Sequence, residues 1–346
     1  MRPRPTGLLR TGARAATALL LAGLASACGG ADAAGPAKVL TLGYFPNVTH
    51  ASAVYGVATG TYAAALGTTT LRTSTFNAGP TEVEALFAGA IDAAYIGPGP
   101  SLNAFIRSHG AAVIVAGATS GGAELVVQPG VTDLRGKTIA DPQTGGTQDI
   151  ALRTYLKSQG LHVDKQGGGD ATVLAEDNAQ TLDLFKSKQI DGAWVPEPWA
   201  SRLVLEGGGS VLVDEASLWP GGSFVTTNLV VRTDYLDRHP ETIEALLRGQ
   251  VEADKQIAAD PDKARQVVND ALKTLTGKSL KPDVIARAFS HIRVTEDPLA
   301  SSLQELAEHA FATKLVKKGS LKGIYDLRPL DRVLGKHVDD AGLGRD

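Results

Sequence analysis

Residues 86–98 read LFAGAIDAAYIGP, and residues 184–198 read LFKSKQIDGAWVPEP. Each stretch leaves a helix end and passes through Ile-Asp. Each then runs through small residues, an aromatic and a β-branched residue into a proline-containing loop. Ile91 and Ile190 stand 99 residues apart, about the size of one lobe, and Asn77 and Asn178 each precede a helix upstream. Coincidence among common α/β residues is one account of the match. The other is two similar α/β lobes, each offering a strand-end loop to a shared cleft. In open α/β sheets, ligands bind outside the carboxyl ends of the strands, where these loops fall.

Outward from the repeat, strands alternate with helices. Residues 39–45 alternate apolar and polar positions and read as a buried strand; 51–65 read as one helix opened by Thr49 and His50. Further strands are expected at 71–76, 94–96, 112–116, 125–128, 137–140 and 224–232, with helices over 81–88, 101–108 and 148–157. Pro80 just inside a helix start, with Glu82 and Glu84 behind it, fits N-terminal preferences. His239-Pro240-Glu241 and Asp260-Pro261-Asp262 mark two more helix starts, beyond which the pattern is mostly helical. No strand-like alternation shows near the C-terminus, and residues 339–346 read as frayed. These patterns make the chain α/β.

Composition removes several function classes. The chain has 346 residues, 43% hydrophobic and 21% charged, which suits two folded domains and excludes disorder over most of its length. Lysine and arginine total 34 against 37 acids, so nothing marks a nucleic-acid binder. One cysteine excludes a disulfide framework or a multi-cysteine metal site. That cysteine, Cys28, follows a segment with Arg2, Arg4, Arg10 and Arg14 and then an apolar run over 15–27. The pattern is that of a secretory signal, and the run is too short to span a bilayer, which takes roughly 20 apolar residues. Removing residues 1–27 takes away four arginines and no acid, so the net charge moves from −3 to −7. Residues 29–37 read as a flexible tether.

Enzyme motifs are missing. No G-x-S-x-G, H-E-x-x-H, Walker A or intact G-x-G-x-x-G occurs, and the seven histidines are scattered without ligand spacing. Neither a catalytic residue nor a metal site nor a cofactor is expected. What recurs is loop-to-helix junctions rich in Gly, Pro, Ser, Thr and Asn: Asn47-Val48-Thr49-His50, Asn77-Ala78-Gly79-Pro80, Gly97-Pro98-Gly99-Pro100-Ser101 and Gly145-Gly146-Thr147-Gln148. A helix N-terminus leaves backbone N–H groups unpaired and carries about half a positive charge, so it holds small anions well. Taken singly each junction is an ordinary cap; converging on one cleft, they hold an oxyanion without a buried cation. Trp194-Val195-Pro196-Glu197-Pro198-Trp199 is a second candidate. Its tryptophans are read either as pocket walls, with Glu197 as acceptor for a ligand ammonium, or as a structural plug.

The stretches GYFPNVTHA (43–51), FNAGPTEVEALFAGAIDAAYIGPGP (76–100), AGATSGGAELVV (116–127), NAQTLDLFK (178–186) and DGAWVPEPWA (191–200) resemble the solute-binding proteins of ABC importers for nitrate, sulfonate and taurine. Aliphatic-sulfonate binding lipoproteins are the branch most resembled, and the likeness covers most of 38–260. It implies a two-lobe, type II periplasmic-binding-protein-like fold, each lobe a mixed sheet flanked by helices, closing on a ligand about two crossing segments near 120–125 and 224–228. The implied division is a signal peptide over 1–27, lipidated Cys28 and tether over 28–37, lobe one over 38–124 plus 227–330, lobe two over 125–226, and a tail over 331–346. The segment ending at Cys28 resembles a bacterial lipobox, which implies a lipid anchor on the extracytoplasmic face of the membrane.

Carried over residue by residue, the resemblance implies ligand contacts from Asn47, Thr49, His50, Asn77, Gly79, Gly97 and Pro98, with Thr119, Ser120 and Gly121 near the hinge. Lobe two adds Thr147, Gln148, Asp149, Trp194 and Glu197. The expected function is capture of a small organic anion, an aliphatic sulfonate or taurine, by a monomer that delivers it to an ABC permease and its ATPase. Nitrate, bicarbonate or a thiamine pyrimidine precursor are alternative ligands. A secreted lipoprotein enzyme on the same scaffold is the alternative of another class, since one fold hosts many functions.

Overall fold

The computed structural model describes residues 35–345. Residues 1–27, read above as a secretory signal, and Cys28 lie outside them. In chain order the first half holds β1 (Val39–Tyr44), α1 (Ala51–Ala58), α2 (Thr61–Leu66), β2 (Thr70–Thr75), α3 (Gly79–Phe87), β3 (Ala93–Ile96), α4 (Pro98–Ser108) and β4 (Ala112–Gly121). The chain continues through β5 (Ala123–Val127), β6 (Thr138–Asp141), α5 (Thr147–Ser158), β7 (Thr172–Ala175), α6 (Asn178–Lys186), β8 (Gly192–Pro196), α7 (Trp199–Leu205) and β9 (Ser210–Asp214). It closes with β10 (Val225–Arg232), α8 (Thr233–Arg238), α9 (Pro240–Ala259), α10 (Pro261–Thr276), α11 (Pro282–Ser290), β11 (Ile292–Val294), α12 (Ala300–Ala312) and α13 (Arg328–Leu334).

The strands form two mixed sheets, ordered β11-β4-β10-β3-β1-β2 and β7-β6-β8-β5-β9. The repeated stretches supply a central strand of each: β3 lies parallel to β1 and antiparallel to β10, and β8 lies parallel to β6 and antiparallel to β5. The shared Ile-Asp has the same job in both. Asp92 accepts the Thr41 N–H at 2.9 Å through its carboxylate, and Asp191 accepts the Thr138 N–H at 2.9 Å. Ile91 and Ile190 are buried beneath. The repeat is structural, because two lobes solve the same strand-entry problem with the same pair.

The chain passes between the sheets at Gly121-Gly122. Both glycines have φ near +80°, and a Cβ would sit 2.7 Å from the His291 carbonyl at Gly121 and 2.4 Å from Ile292 Cγ2 at Gly122. The return passage runs over residues 215–224, so 225–228 already belong to a strand. Three other details depart from the sequence reading. The helix over 51–65 breaks at Gly60, φ +76°, into α1 and α2. A short strand, β11, pairs with β4. Residues 339–345 are not frayed: Gly323 N–H donates to Leu343 O at 2.9 Å, and Arg345 pairs with Asp237 at 2.7 Å.

Candidate functional site

A cavity of about 250 Å³ opens between the two sheets, lined from both. Its walls come from the loops leaving the carboxyl ends of β1, β2, β3, β6, β7 and β8, the location that parallel strands dictate. Asn47, Thr49, His50, Asn77, Gly79, Gly97, Thr147 and Gln148 all line it. So does Trp199, one of the two tryptophans read as pocket walls, together with Phe45, Phe76, Gln143, Asp177, Asn178 and Thr226, which sequence reasoning did not single out as ligand contacts.

The four expected junctions are not equal. At α5, Ile150 N–H is the first to find an intrahelical acceptor, Gly146 O at 3.1 Å, which leaves the amides of Thr147, Gln148 and Asp149 without one. At α3, whose N-cap Ala78 offers no side chain, the amides of Gly79 and Thr81 are left in the same way. The α4 start is spent differently. Pro98 and Pro100 have no N–H, and Gly99 N–H donates to Thr147 Oγ1 at 3.2 Å, a bond that crosses between the lobes. Glycine is required there, since a Cβ on Gly97 would lie 2.5 Å from Thr147 Oγ1. In the β1 loop, Val48–His50 forms a 3₁₀ turn in which Thr49 N–H donates to Glu197 O at 3.4 Å and His50 N–H to Asn47 O at 3.1 Å. The α6 start is capped by Asp177, which accepts the Ala179 N–H at 2.9 Å.

His50 is buried, and burial pushes its pKa down to about 3, so the ring is neutral. Phe45 N–H donates to its Nδ1 at 3.3 Å, and the two rings stack at 4.6 Å. The proton therefore sits on Nε2, and His50 is a neutral donor. Asn47 donates through Nδ2 to Thr49 Oγ1 at 3.2 Å, while its buried Oδ1 and that of Asn178 have no partner. Among the described lining residues none is lysine or arginine; Asp177, exposed at the rim, is the one carboxylate. The cleft thus combines neutral donors, three aromatic rings and a single rim acid.

The remaining expected residues lie elsewhere. Thr119 and Ser120 are buried in β4, Gly121 forms the passage between sheets, and Pro98 is buried behind Gly97. Asp149 is buried, bonded to Arg153, and accepts the Gly145 N–H at 2.7 Å, so it shapes the α5 turn. Neighbouring Asp141 is held well above the carboxylate range by burial and by the Asp149 charge. Trp194 is fully buried on the far face of β8, where its Nε1–H donates to Glu215 at 2.7 Å. Glu197 is also buried, binding Ser201 Oγ at 2.9 Å and Arg287 at 2.9 Å. Arg287 forks onto Glu124 at 2.9 and 2.8 Å, so Glu197 is committed to a buried network and is not open to a ligand ammonium. Glu124, Asp214 and His291 are the one trio of metal-type donors close together among the described residues, and both Glu124 oxygens already face Arg287.

Two sheets of matching strand order, with a cleft between their strand-end loops, define a protein of the periplasmic-binding-protein class. The chain belongs to the NMT1-like family, whose model matches residues 33–271. A relative from Brucella abortus, named only as a binding protein, is 30% identical over 206 residues, 58% of this chain. The chain spans 61% of that relative's length. The taurine-binding periplasmic protein of Escherichia coli is 28% identical over 192 residues, 54% of this chain and 57% of its own. Among solved structures, the alkanesulfonate-binding protein SsuA of Xanthomonas axonopodis pv. citri, bound to MOPS, superposes with a TM-score of 0.67 at 23% identity. That match covers 82% of this chain and 96% of that one, and it shows the shared fold. Each of the three carries the name of a binding protein. Among the described residues, no helix is long and apolar enough to cross a membrane.

Proposed function

We propose that this chain is the extracytoplasmic solute-binding protein of an ABC importer, that it is anchored through a lipidated Cys28, and that it captures an aliphatic sulfonate or taurine. The observation that carries the ligand class is the pair of uncapped helix starts, α3 and α5, in a cleft walled by aromatic rings and free of lysine and arginine. A sulfonate stays anionic and unprotonated, so it needs donors and no acceptors, and amides at helix starts supply them. Phe45, Phe76 and Trp199 suit the methylenes, and Asp177 suits the ammonium of taurine. The names of the taurine- and alkanesulfonate-binding relatives support the same class. A neutral His50 that can donate through Nε2 suits holding an anion.

A thermal-shift panel of taurine, alkanesulfonates, sulfate, nitrate, bicarbonate and a hydroxymethylpyrimidine tests the reading. A ligand at about 100 times its Kd adds roughly 2.7 kcal/mol, a shift of several degrees. The expected response is to sulfonates, with Gln148→Ala weakening it about fivefold, the worth of one hydrogen bond of about 1 kcal/mol. A response confined to nitrate, bicarbonate or the pyrimidine overturns the ligand and leaves the importer role standing.

A further inference from the structure

We propose that Trp199 sets the ligand length the cleft accepts, by walling off a second compartment that fits the tail of a longer sulfonate. The inference rests on the sulfonate reading and adds the side chain that limits the substrate. A cavity of about 330 Å³ lies against the first, between α6, α7 and the loop after α10. Pro46, Ala179, Trp199 and Thr276 line both cavities. Of these four the indole is the largest side chain, so it is the partition. Beyond it, Leu182, Leu272 and Leu280 give the second compartment an apolar side suited to methylenes, while Asp183, Arg202, Glu206 and Lys278 add charge to the rest of its lining.

The ring is held from within its own helix. The Arg202 guanidinium, which lines the second cavity alone, lies 4.8 Å from the indole centroid. Arg202 is fixed in turn by Glu206 at 3.2 Å. Trp199 and Arg202 fall at i and i+3 of α7, one helix face, and Glu206 follows as the C-cap of the same helix. Removing the indole therefore joins the two compartments and leaves the Gly99–Thr147 and Thr49–Glu197 bonds between the lobes untouched. A short sulfonate fits the first compartment and packs on the ring, whereas a long tail meets the ring as a barrier.

The test is calorimetric titration of the wild type, Trp199→Phe and Trp199→Ala with the series from methanesulfonate to octanesulfonate. In the wild type, affinity falls once the chain outgrows the first compartment. In Trp199→Ala the shortest ligands bind more weakly, and affinity then rises about fourfold per methylene, which corresponds to roughly 0.8 kcal/mol per buried CH₂. Trp199→Phe falls between, and it carries the test alone if the alanine variant does not fold. Parallel chain-length profiles in all three proteins overturn the inference while keeping the sulfonate site. Silence of the wild type toward every sulfonate, with a shift from another ligand of the panel, overturns the sulfonate reading and this inference with it.

Discussion

Trp194 and Trp199 stand five residues apart in one motif and do different work. Side chains alternate faces along a strand. In β8 this sends Trp194 to the face that holds Leu125, Val127 and Ile139, and Ala193 and Val195 to the other. Trp199 lies beyond the strand end, on the first residue of α7, and so reaches the cleft. Glu215 receives the Trp194 N–H inside the protein, and burial pushes its pKa up to about 7. Trp194→Phe deprives this buried acid of a donor, and urea unfolding is expected to show a loss of about 1–3 kcal/mol. Ligand affinity should change less than about twofold. A large loss of affinity in a stably folded variant would place Trp194 in the site after all.

Helix α11 decides how the parts of the molecule are tied. Sequence neighbours α10 and β11 pack on α1 and β4 of the first sheet's half, yet α11 packs on α7 of the other. Arg287 is the reason. It binds Glu124 and Glu197, 163 and 90 residues away, beside the Gly121-Gly122 passage. Removing one partner of a buried pair leaves the other charge uncompensated, at about 3–5 kcal/mol. Burial in the first place, with the Glu124 charge adding to it, has already pushed Glu197 up to about 7 against the Ser201 and Arg287 bonds, so this acid takes up a proton when stranded. For Arg287→Leu the lower end, about 3 kcal/mol, is therefore expected near neutral pH. Equilibrium denaturation checks it; a loss below about 1 kcal/mol would mean the network contributes no net stability.

At the scale of the molecule, buried carboxyls give stability a direction with pH. Burial raises Glu82 and Asp141 well above the carboxylate range, Glu197 and Glu215 to about 7, and Asp254 to about 8. Groups with folded pKa values above their unfolded ones keep protons in the native state that the unfolded chain has released. Their stabilising effect is complete below the unfolded carboxyl range, near pH 4, and is lost as pH rises through about 7 to 8. The melting temperature should accordingly be highest near pH 5 and fall toward pH 8.5. Asp254, bonded to Ser52 Oγ at 2.5 Å, acts at the alkaline end, and Asp254→Asn should flatten that part of the curve. A melting temperature that holds or rises across this range would contradict the assignment of buried neutral acids.

Local patterns in the sequence determined the α/β class, the repeated strand-and-loop unit, and most of the loops that now line the cleft. These rest on short-range physics: alternation, capping residues, and a proline or glycine at a chain turn. His50 and Thr147 could be read as site residues because each sits where a strand ends and a helical turn begins. The tertiary structure alone decided which junctions keep free amides. The α4 start loses its one early amide to Thr147, and the α6 start gives one of its amides, that of Ala179, to the Asp177 side chain. It alone showed that Glu197 answers Arg287, that Trp199 and not Trp194 meets the cleft, and that residues 339–345 dock through Arg345. Each of these turns on which face a side chain takes and which distant residue meets it there, and no spacing along the chain records that.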